Sequence, residues 1–376
     1  MRRLVEISGA GPAGLAAALA VTRAGREARV YEKRAEVGAR FHGDFQGLEN
    51  WTVETDVLDE LGALGIEAGF DCLPVREVTV FDPTARPRRF RSARPLYYLV
   101  RRGGTPGCLD HALQAQVRRA GVEIRFNHAV RRLPHGGIVT EGPHRADAIA
   151  VGCLFDTDMA DGAYAVVCDD LAPKGYAYLL IWRGRGTVAT CMFRDFGRAH
   201  EYAERTIAFF EKQVGLRMRV PRRFGGTGNF FLPRSVRKRD ILYAGEAAGF
   251  QDPLFGFGIR SAILSGAQAG RALALGRPRD YERWWRRRLK AGHETAAAHR
   301  WVYERLGNRG YRAVIARYPE GADVREWMGR AYRPRWQKRL WYHLVARRRY
   351  PPLLRTDTAC DCSWCRCAAR ATASPG

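Results

Sequence analysis

The sequence turns on residues 3–34, RLVEISGAGPAGLAAALAVTRAGREARVYEKR. Leu4, Val5 and Ile7 predict a short apolar strand. Gly9, Gly11 and Gly14 follow in G-x-G-x-x-G spacing, with Pro12 and Ala13 between them. Small residues predict a helix over 12–24, Gly25 stops it, and residues 28–31 predict a second strand ending in Glu32. The motif therefore sits in the β-α-β context that gives it meaning. The first glycine permits the tight turn, the second admits backbone to a pyrophosphate, and the third lets helix and strand pack closely. The helix N-terminus adds free N–H groups and a favourable dipole. Glu32 is placed to accept from a ribose hydroxyl and to disfavour a 2′-phosphate. Arg2 and Arg3 before an apolar run also suit a signal peptide, but Glu6, Ser8 and the glycine spacing fit such a segment badly.

Downstream, 376 residues leave room for two domains and a sizeable core. No uninterrupted apolar run approaches the roughly 18 residues of a membrane span. The net charge of +24 points to an acidic partner. From Gly276 onward there are 24 Lys/Arg against 9 Asp/Glu, so most of that charge is C-terminal. Nine cysteines without an export signal point to a reducing, cytoplasmic setting.

After Glu32 and Lys33, glycine and charge over 33–51 predict a loop. Its Arg40, Phe41, His42 and Gly43 lie where the chain would pass the far end of a dinucleotide. A short helix is expected over 55–62, a strand over 75–81 and a basic loop over 83–94. Strand 96–100, helix 106–120 and strand 122–126 resume the α/β pattern. Strands follow over 147–155, 176–182 and 187–193, then an amphipathic helix over 200–214. A second informative stretch is GEAAGFQDPLFGFGI, residues 245–259. A strand over 240–244 feeds a tight turn carrying Glu246. A glycine-rich loop over 253–258 then opens a small-residue helix, giving a second helix N-terminus that can face a ligand.

Together these stretches resemble the geranylgeranyl reductase family of FAD-dependent oxidoreductases, within the p-hydroxybenzoate hydroxylase-like FAD group. The resemblance covers residues 1 to about 275 and is carried by GAGPAG with Glu32, by GEAAGFQDPLFGFGI, and by PKGYAYLLI at 173–181. It implies an α/β fold: a Rossmann-like FAD-binding domain (residues 1–75, 101–148 and 225–275) interleaved with an antiparallel-sheet α+β substrate domain (76–100 and 149–224). A basic helical region (276–355) and a Cys-rich tail (356–376) follow. By resemblance, Gly9, Gly11, Pro12, Ala13 and Gly14 hold the FAD pyrophosphate, and Glu32, beside Lys33, holds the adenosine ribose. Arg40 and Arg102 or Arg101 sit near the cofactor, and Val130 near the adenine. Glu246, after Gly245, contacts the ribityl chain or pyrophosphate. Gly256, Phe257, Gly258 and Ile259 lie under the flavin pyrimidine edge. Two departures stand out. Glu246 occupies a position where aspartate is usual, and Trp182 is not followed by the Phe-Pro of the reductase signature.

Reduction of an alkene needs a proton donor as well as the flavin. His42 is one candidate, by its titration range; Tyr176, with Tyr178 in the same strand, is placed to line a substrate slot. In the helix expected over 279–306, Tyr281, Trp285, Leu289, Ala296 and Tyr303 fall near one face, which is the mark of a packing face. RPRWQKRLWYHLVARRRY, 333–350, interleaves Trp and Leu with Arg and Lys, the composition of an interfacial helix on anionic lipid. A solvated basic helix has the same composition, and the absence of a nucleic-acid module disfavours nucleic acid. Cys360, Cys362, Cys365 and Cys367 could hold zinc or an Fe–S cluster, or be free thiols of a tail. The other cysteines sit singly, with burial expected. The expected function is FAD-dependent reduction of C=C bonds in an isoprenoid or lipid-like substrate, in the cytoplasm or on the inner face of the membrane, with NAD(P)H or ferredoxin as donor. The alternatives are an FAD-dependent monooxygenase and a non-catalytic lipid- or nucleic-acid-binding protein on a flavoprotein fold.

Overall fold

The structure, a computed structural model, describes residues 4–130, 133–143 and 146–353. Val5–Ser8 and Ala28–Tyr31 pair in parallel, with Ile7 beside Val30. Between them runs helix α1 (Pro12–Arg23). Pro12 at its first turn has φ preset for a helix and lacks an N–H that would be unpaired there anyway. Gly25, at φ +74°, supplies the left-handed turn after its end.

Three further parallel strands extend this unit to a sheet ordered Ile241–Tyr243, Gly137–Val139, Val5–Ser8, Ala28–Tyr31, Glu123–Arg125, and Arg237–Lys238 closes one edge antiparallel. The strand at Gly137–Val139 is absent from the sequence expectation. Three residues, one of them Gly137 and preceded by Gly136, carry too little periodicity to register.

A second, seven-stranded sheet is mostly antiparallel and runs Arg219–Gly228, Ala148–Asp156, Arg185–Met192, Tyr176–Trp182, Gly162–Val166, Glu77–Phe81, Pro87–Arg91. A three-stranded sheet of Phe45–Glu49, Tyr97–Arg101 and Cys72–Val75 joins the two.

Three expectations are corrected here. The stretch 33–51 is not all loop, because Phe45–Glu49 is a strand whose partner lies far along the chain. The basic segment 83–94 contains the strand Pro87–Arg91, which buries Phe90 and turns Arg89 and Arg91 outward. The strand expected over 75–81 divides at Arg76 between two sheets.

Helices α2 (Val57–Ala63) and α3 (Leu109–Arg119) cover the parallel sheet, and α4 (Ala199–Val214) packs Phe210 against the back of the antiparallel one. Helix α5 (Ile259–Ala274) lies directly on α1. A Cβ on Gly266 would stand 2.0 Å from the Ala13 carbonyl oxygen, and one on Gly270 2.3 Å from that of Ala17. Residues one helical turn apart on each helix therefore meet backbone to backbone, in the same order along both chains, so the helices run parallel. Glycine is required because no side chain fits between them.

The basic C-terminal region forms α6 (Pro278–Arg288), α7 (Lys290–Ala316), α8 (Val324–Tyr332) and α9 (Trp336–Leu344). The single helix expected over 279–306 breaks at Leu289, and α7 carries a non-helical Gly307 (φ 58°). Tyr281 and Trp285 are buried, and Tyr281 donates to the Tyr243 carbonyl at 2.7 Å, tying α6 to the parallel sheet. Arg300 of α7 is fully buried. It donates to the Leu254 carbonyl at 3.2 Å and to the Lys174 carbonyl, and pairs with Glu304 at 3.4 Å. One side chain thus fastens α7 to the 253–258 loop and to the turn before Tyr176.

Candidate active site

All parallel strands end at one edge, and the connections leaving that edge carry the polar and glycine-rich turns. Gly9 follows Val5–Ser8, Glu32 follows Ala28–Tyr31, Thr140 and Glu141 follow Gly137–Val139, and Gly245-Glu246 follows Ile241–Tyr243. Open α/β sheets bind ligands in this crevice. A continuous cleft of about 1450 Å³ begins there and runs past Gly256–Ile259 into a space between the antiparallel sheet and helices α7 and α8. Gly11 and Gly256 line the same cleft.

The nucleotide half is built by the backbone. Gly9 has φ +99°, and a Cβ on Gly14 would stand 1.9 Å from the Gly9 oxygen, so the turn and helix close on each other. A Cβ on Gly11 would meet nothing within 4 Å, because its position faces the open cleft. No side chain caps α1. Glu32 accepts from the Ala10 and Arg34 N–H groups, both at 2.9 Å, which holds its carboxylate over the glycine turn. Lys33 is exposed and Val130 half-buried, and both border this half, where the His128 ring lies 5.1 Å from that of Tyr31.

Helix α5 likewise begins without a side-chain cap, at Gly258. Gly266 faces Ala13, and Ile259 lies seven residues earlier, so the second helix N-terminus stands roughly 10 Å further along the cleft at 1.5 Å per residue. The loop before it is closed by the Asp252 N–H to Phe257 oxygen bond (2.7 Å) and by Gln251 on the Gly256 oxygen (2.8 Å), with Gly256 at φ +79°. The Phe257 ring occupies the place a side chain at position 47 would take: a Cβ on Gly47 would stand 2.4 Å from it.

Arg40 reaches across the cleft. It donates to the Thr227 carbonyl at 2.6 Å and faces Glu246 at 3.5 Å, and the other Glu246 oxygen accepts from the Asn229 N–H at 3.0 Å. The extra methylene of Glu246 is thus spent reaching the end of the Arg219–Gly228 strand. Burial raises its carboxyl, against the opposing charges of Arg40 and Arg102.

Arg102 is buried and forms a bidentate pair with Asp110 at 2.8 and 2.9 Å, donates to Gln46 at 3.0 Å, and stacks 4.1 Å from the Phe41 ring. Burial opposes its charge, and Asp110 with Asp44 and Glu246 outweighs that effect. Arg101 instead pairs with Asp71. His42 is exposed at the cleft, with its N–H on Asp44 at 3.1 Å.

The deep half is apolar and aromatic. Strand alternation turns Tyr176, Tyr178 and Leu180 toward the cleft and Ala177, Leu179 and Ile181 toward the α4 side. Opposite stand Tyr303 of α7 and Tyr332 of α8. Tyr176 donates to the Phe255 carbonyl at 2.8 Å, Tyr303 to the Gly175 carbonyl at 2.6 Å and Tyr332 to Asp252 at 2.9 Å. Burial pushes the Asp252 carboxyl up to about 6. It also pulls neighbouring His299 down to about 4, with Lys338 adding to the effect.

Sequence reasoning missed Trp51, Tyr97 and the α7–α8 wall. Their only signal was aromatic content, which equally marks a core. The cysteines at 360–367 lie outside the described residues. Among the described residues no group of three or more His, Cys, Asp or Glu is placed to hold a metal. Cys108, Cys153, Cys168 and Cys191 are buried and unpaired, and Cys72 is half-buried.

The crevice fits FAD: an unobstructed glycine position at an uncapped helix, an acid at the ribose place, and a second uncapped helix further along. The fold is that of an FAD-dependent oxidoreductase. A profile described as an NAD(P)-binding Rossmann-like domain matches residues 7–54. Among solved structures, a geranylgeranyl bacteriochlorophyll reductase-like protein from Thermoplasma acidophilum superposes with TM-score 0.70 at 16% identity, over 91% of this chain and 96% of that one. The flavin-dependent halogenase CmlS gives 0.60 at 17%, over 93% and 77% of the two chains. A probable FAD-dependent monooxygenase from Pseudomonas aeruginosa gives 0.60 at 15%, over 84% and 100%. No curated protein sequence matches the chain. The resemblance drawn from the motifs is met at the level of the fold.

Proposed function

We propose that the protein is an FAD-dependent reductase of carbon–carbon double bonds in an isoprenoid or other lipid-like substrate, acting at an anionic membrane surface. The observation that carries this reading is the cleft itself, which continues from the nucleotide crevice into a long chamber walled by Val78, Val80, Phe90, Leu180, Val314 and Met328. Such a wall offers an extended apolar chain burial along its length, at roughly 25 cal/mol per Å² removed from water.

Bound FAD supplies hydride-transfer chemistry. Gly9, Gly11, Pro12, Ala13 and Gly14 would hold its pyrophosphate, Glu32 its ribose, and Gly256 to Ile259 its ring end, with Arg40, Arg102 and Glu246 between. The α7–α8 wall excludes water. His42 at the rim and Tyr176 inside, whose hydroxyl donates to the Phe255 carbonyl, are the candidate proton donors. The electron donor is NAD(P)H or a ferredoxin; an acidic carrier suits the basic surface.

The test is anaerobic photoreduction followed by addition of polyprenyl lipids. Unsaturated lipids should reoxidise the flavin and their saturated counterparts should not. Reoxidation by dioxygen alone, with incorporation into product, would support the second reading, a monooxygenase. Structural likeness to the Pseudomonas protein favours that reading.

The membrane part rests on α9. Tyr342 is buried against Trp301 and the Tyr350 segment, while Trp336, Leu340 and Leu344, one turn apart, are 70%, 48% and 69% exposed. Arg335, Arg347 and Arg348 flank this stripe. Apolar stripe and basic flanks together suit an anionic interface. Among the described residues no helix is long and apolar enough to cross a membrane. Replacing Trp336, Leu340 and Leu344 together by glutamate should cut binding to phosphatidylserine vesicles at least about tenfold, with flavin content unchanged. Undiminished binding would remove α9 as the anchor.

A further inference from the structure

Two phenols in the deep half of the cleft differ from the tyrosines packed beside them. Tyr97 comes from the three-stranded sheet and Tyr178 from the seven-stranded one, and both belong to one apolar cluster with Trp51, Phe90 and Leu180. Tyr97 is only 9% exposed, and both residues line the cleft. The tyrosines around them have committed hydroxyls: Tyr98 to Asp56, Tyr176 to the Phe255 carbonyl, Tyr311 to Asp169 and Tyr332 to Asp252. Among the described residues neither Tyr97 nor Tyr178 makes such a bond. Neither hydroxyl is among the fully buried polar atoms, so both are open to what enters the cleft, and a ligand oxygen that displaces water there must replace its hydrogen bond.

The charges around the chamber narrow what can meet these hydroxyls. Among the described residues, the Lys and Arg side chains lining the cleft are Lys33, Arg34, Arg40 and Arg102, all in the nucleotide half. In the deep half the ionisable groups nearest the lining are Asp44 toward Tyr178, Asp252 behind Tyr332, His299, which burial keeps neutral, and Arg300 behind Tyr303, which is spent on the Leu254 and Lys174 carbonyls and on Glu304. An anionic head such as a diphosphate would meet carboxyls there and, among the described residues, no uncommitted cation, which is costly away from bulk water. Burial raises both phenols, so they stay protonated donors.

Resting on the reading of the cleft as a chamber for an apolar substrate, we propose that the deep end binds a neutral oxygen function, an alcohol, ether or carbonyl, through hydrogen bonds from the Tyr97 and Tyr178 hydroxyls. The substrate class is therefore a neutral, singly oxygenated apolar molecule rather than a prenyl diphosphate.

The test uses the full flavoprotein, titrated with farnesol, farnesene and farnesyl diphosphate, with the visible spectrum of bound flavin as readout. Farnesol should bind at least about tenfold tighter than either of the others. Tyr97→Phe and Tyr178→Phe should each weaken farnesol by roughly three- to tenfold and leave farnesene unchanged. Phenylalanine keeps the ring, and flavin content with melting temperature checks that each variant is folded. Diphosphate binding as tight as the alcohol, or farnesol affinity untouched in both variants, overturns the proposal and leaves the apolar-substrate reading standing. If none of the three compounds perturbs the flavin, that reading fails along with it.

Discussion

Replacing Gly11 by aspartate should give a folded, colourless protein. A Cβ at this position meets nothing within 4 Å, and φ is −79°, a value open to any residue. The chain itself therefore loses nothing. What changes is the cleft, where a carboxylate now stands at the helix N-terminus proposed to hold a pyrophosphate. Two like charges about 4 Å apart cost about 4 kcal/mol at an effective dielectric near 20, or about a thousandfold in flavin affinity. The measurement pairs absorbance near the oxidised-flavin band with a thermal melt of the apoprotein. A yellow Gly11→Asp protein would remove the dinucleotide site from the glycine turn.

Gly266→Val should fail in the opposite way, losing the fold first and the flavin as a consequence. Its Cβ would stand 2.0 Å from the Ala13 oxygen, a backbone atom that cannot rotate aside. The helices must part, and Gly270 against Ala17 must part with them. Overpacking of this kind costs about 3 kcal/mol or more, a large share of a domain's net stability. Alanine already places the offending atom, so Gly266→Ala should show a large part of the effect. A Gly266→Val variant with the parental melting temperature and flavin content would mean that α1 and α5 do not touch through their backbones.

These two variants separate what glycine does at two places. At Gly11 it leaves room for a ligand; at Gly266 it leaves room for another helix. The first was legible in the sequence, because the spacing of Gly9, Gly11 and Gly14 sits between two strands and ends in Glu32. The second was not. Gly266 and Gly270 lie in a run of small residues that reads simply as a helix, and their partner is some 250 residues away. The same limit hid the strand at Gly137–Val139, whose neighbours Thr140 and Glu141 complete the crevice. It also hid Phe45–Glu49, whose hydrogen bonds go to Tyr97–Arg101.

The candidate site divides along the same line. Glycine turns, an acid at a strand end and an uncapped helix are local features, and their chemistry follows from covalent neighbours. The sequence by itself therefore determined the dinucleotide crevice and the class of fold around it. The depth of the cleft, the α7–α8 wall, the pairing of Arg40 with Glu246, and the two uncommitted phenols were decided only by tertiary structure. An aromatic side chain looks the same in sequence whether its hydroxyl is spent on a carbonyl, as in Tyr176, or free in a chamber, as in Tyr178. Which of the two holds depends on atoms that other strands and helices bring to it.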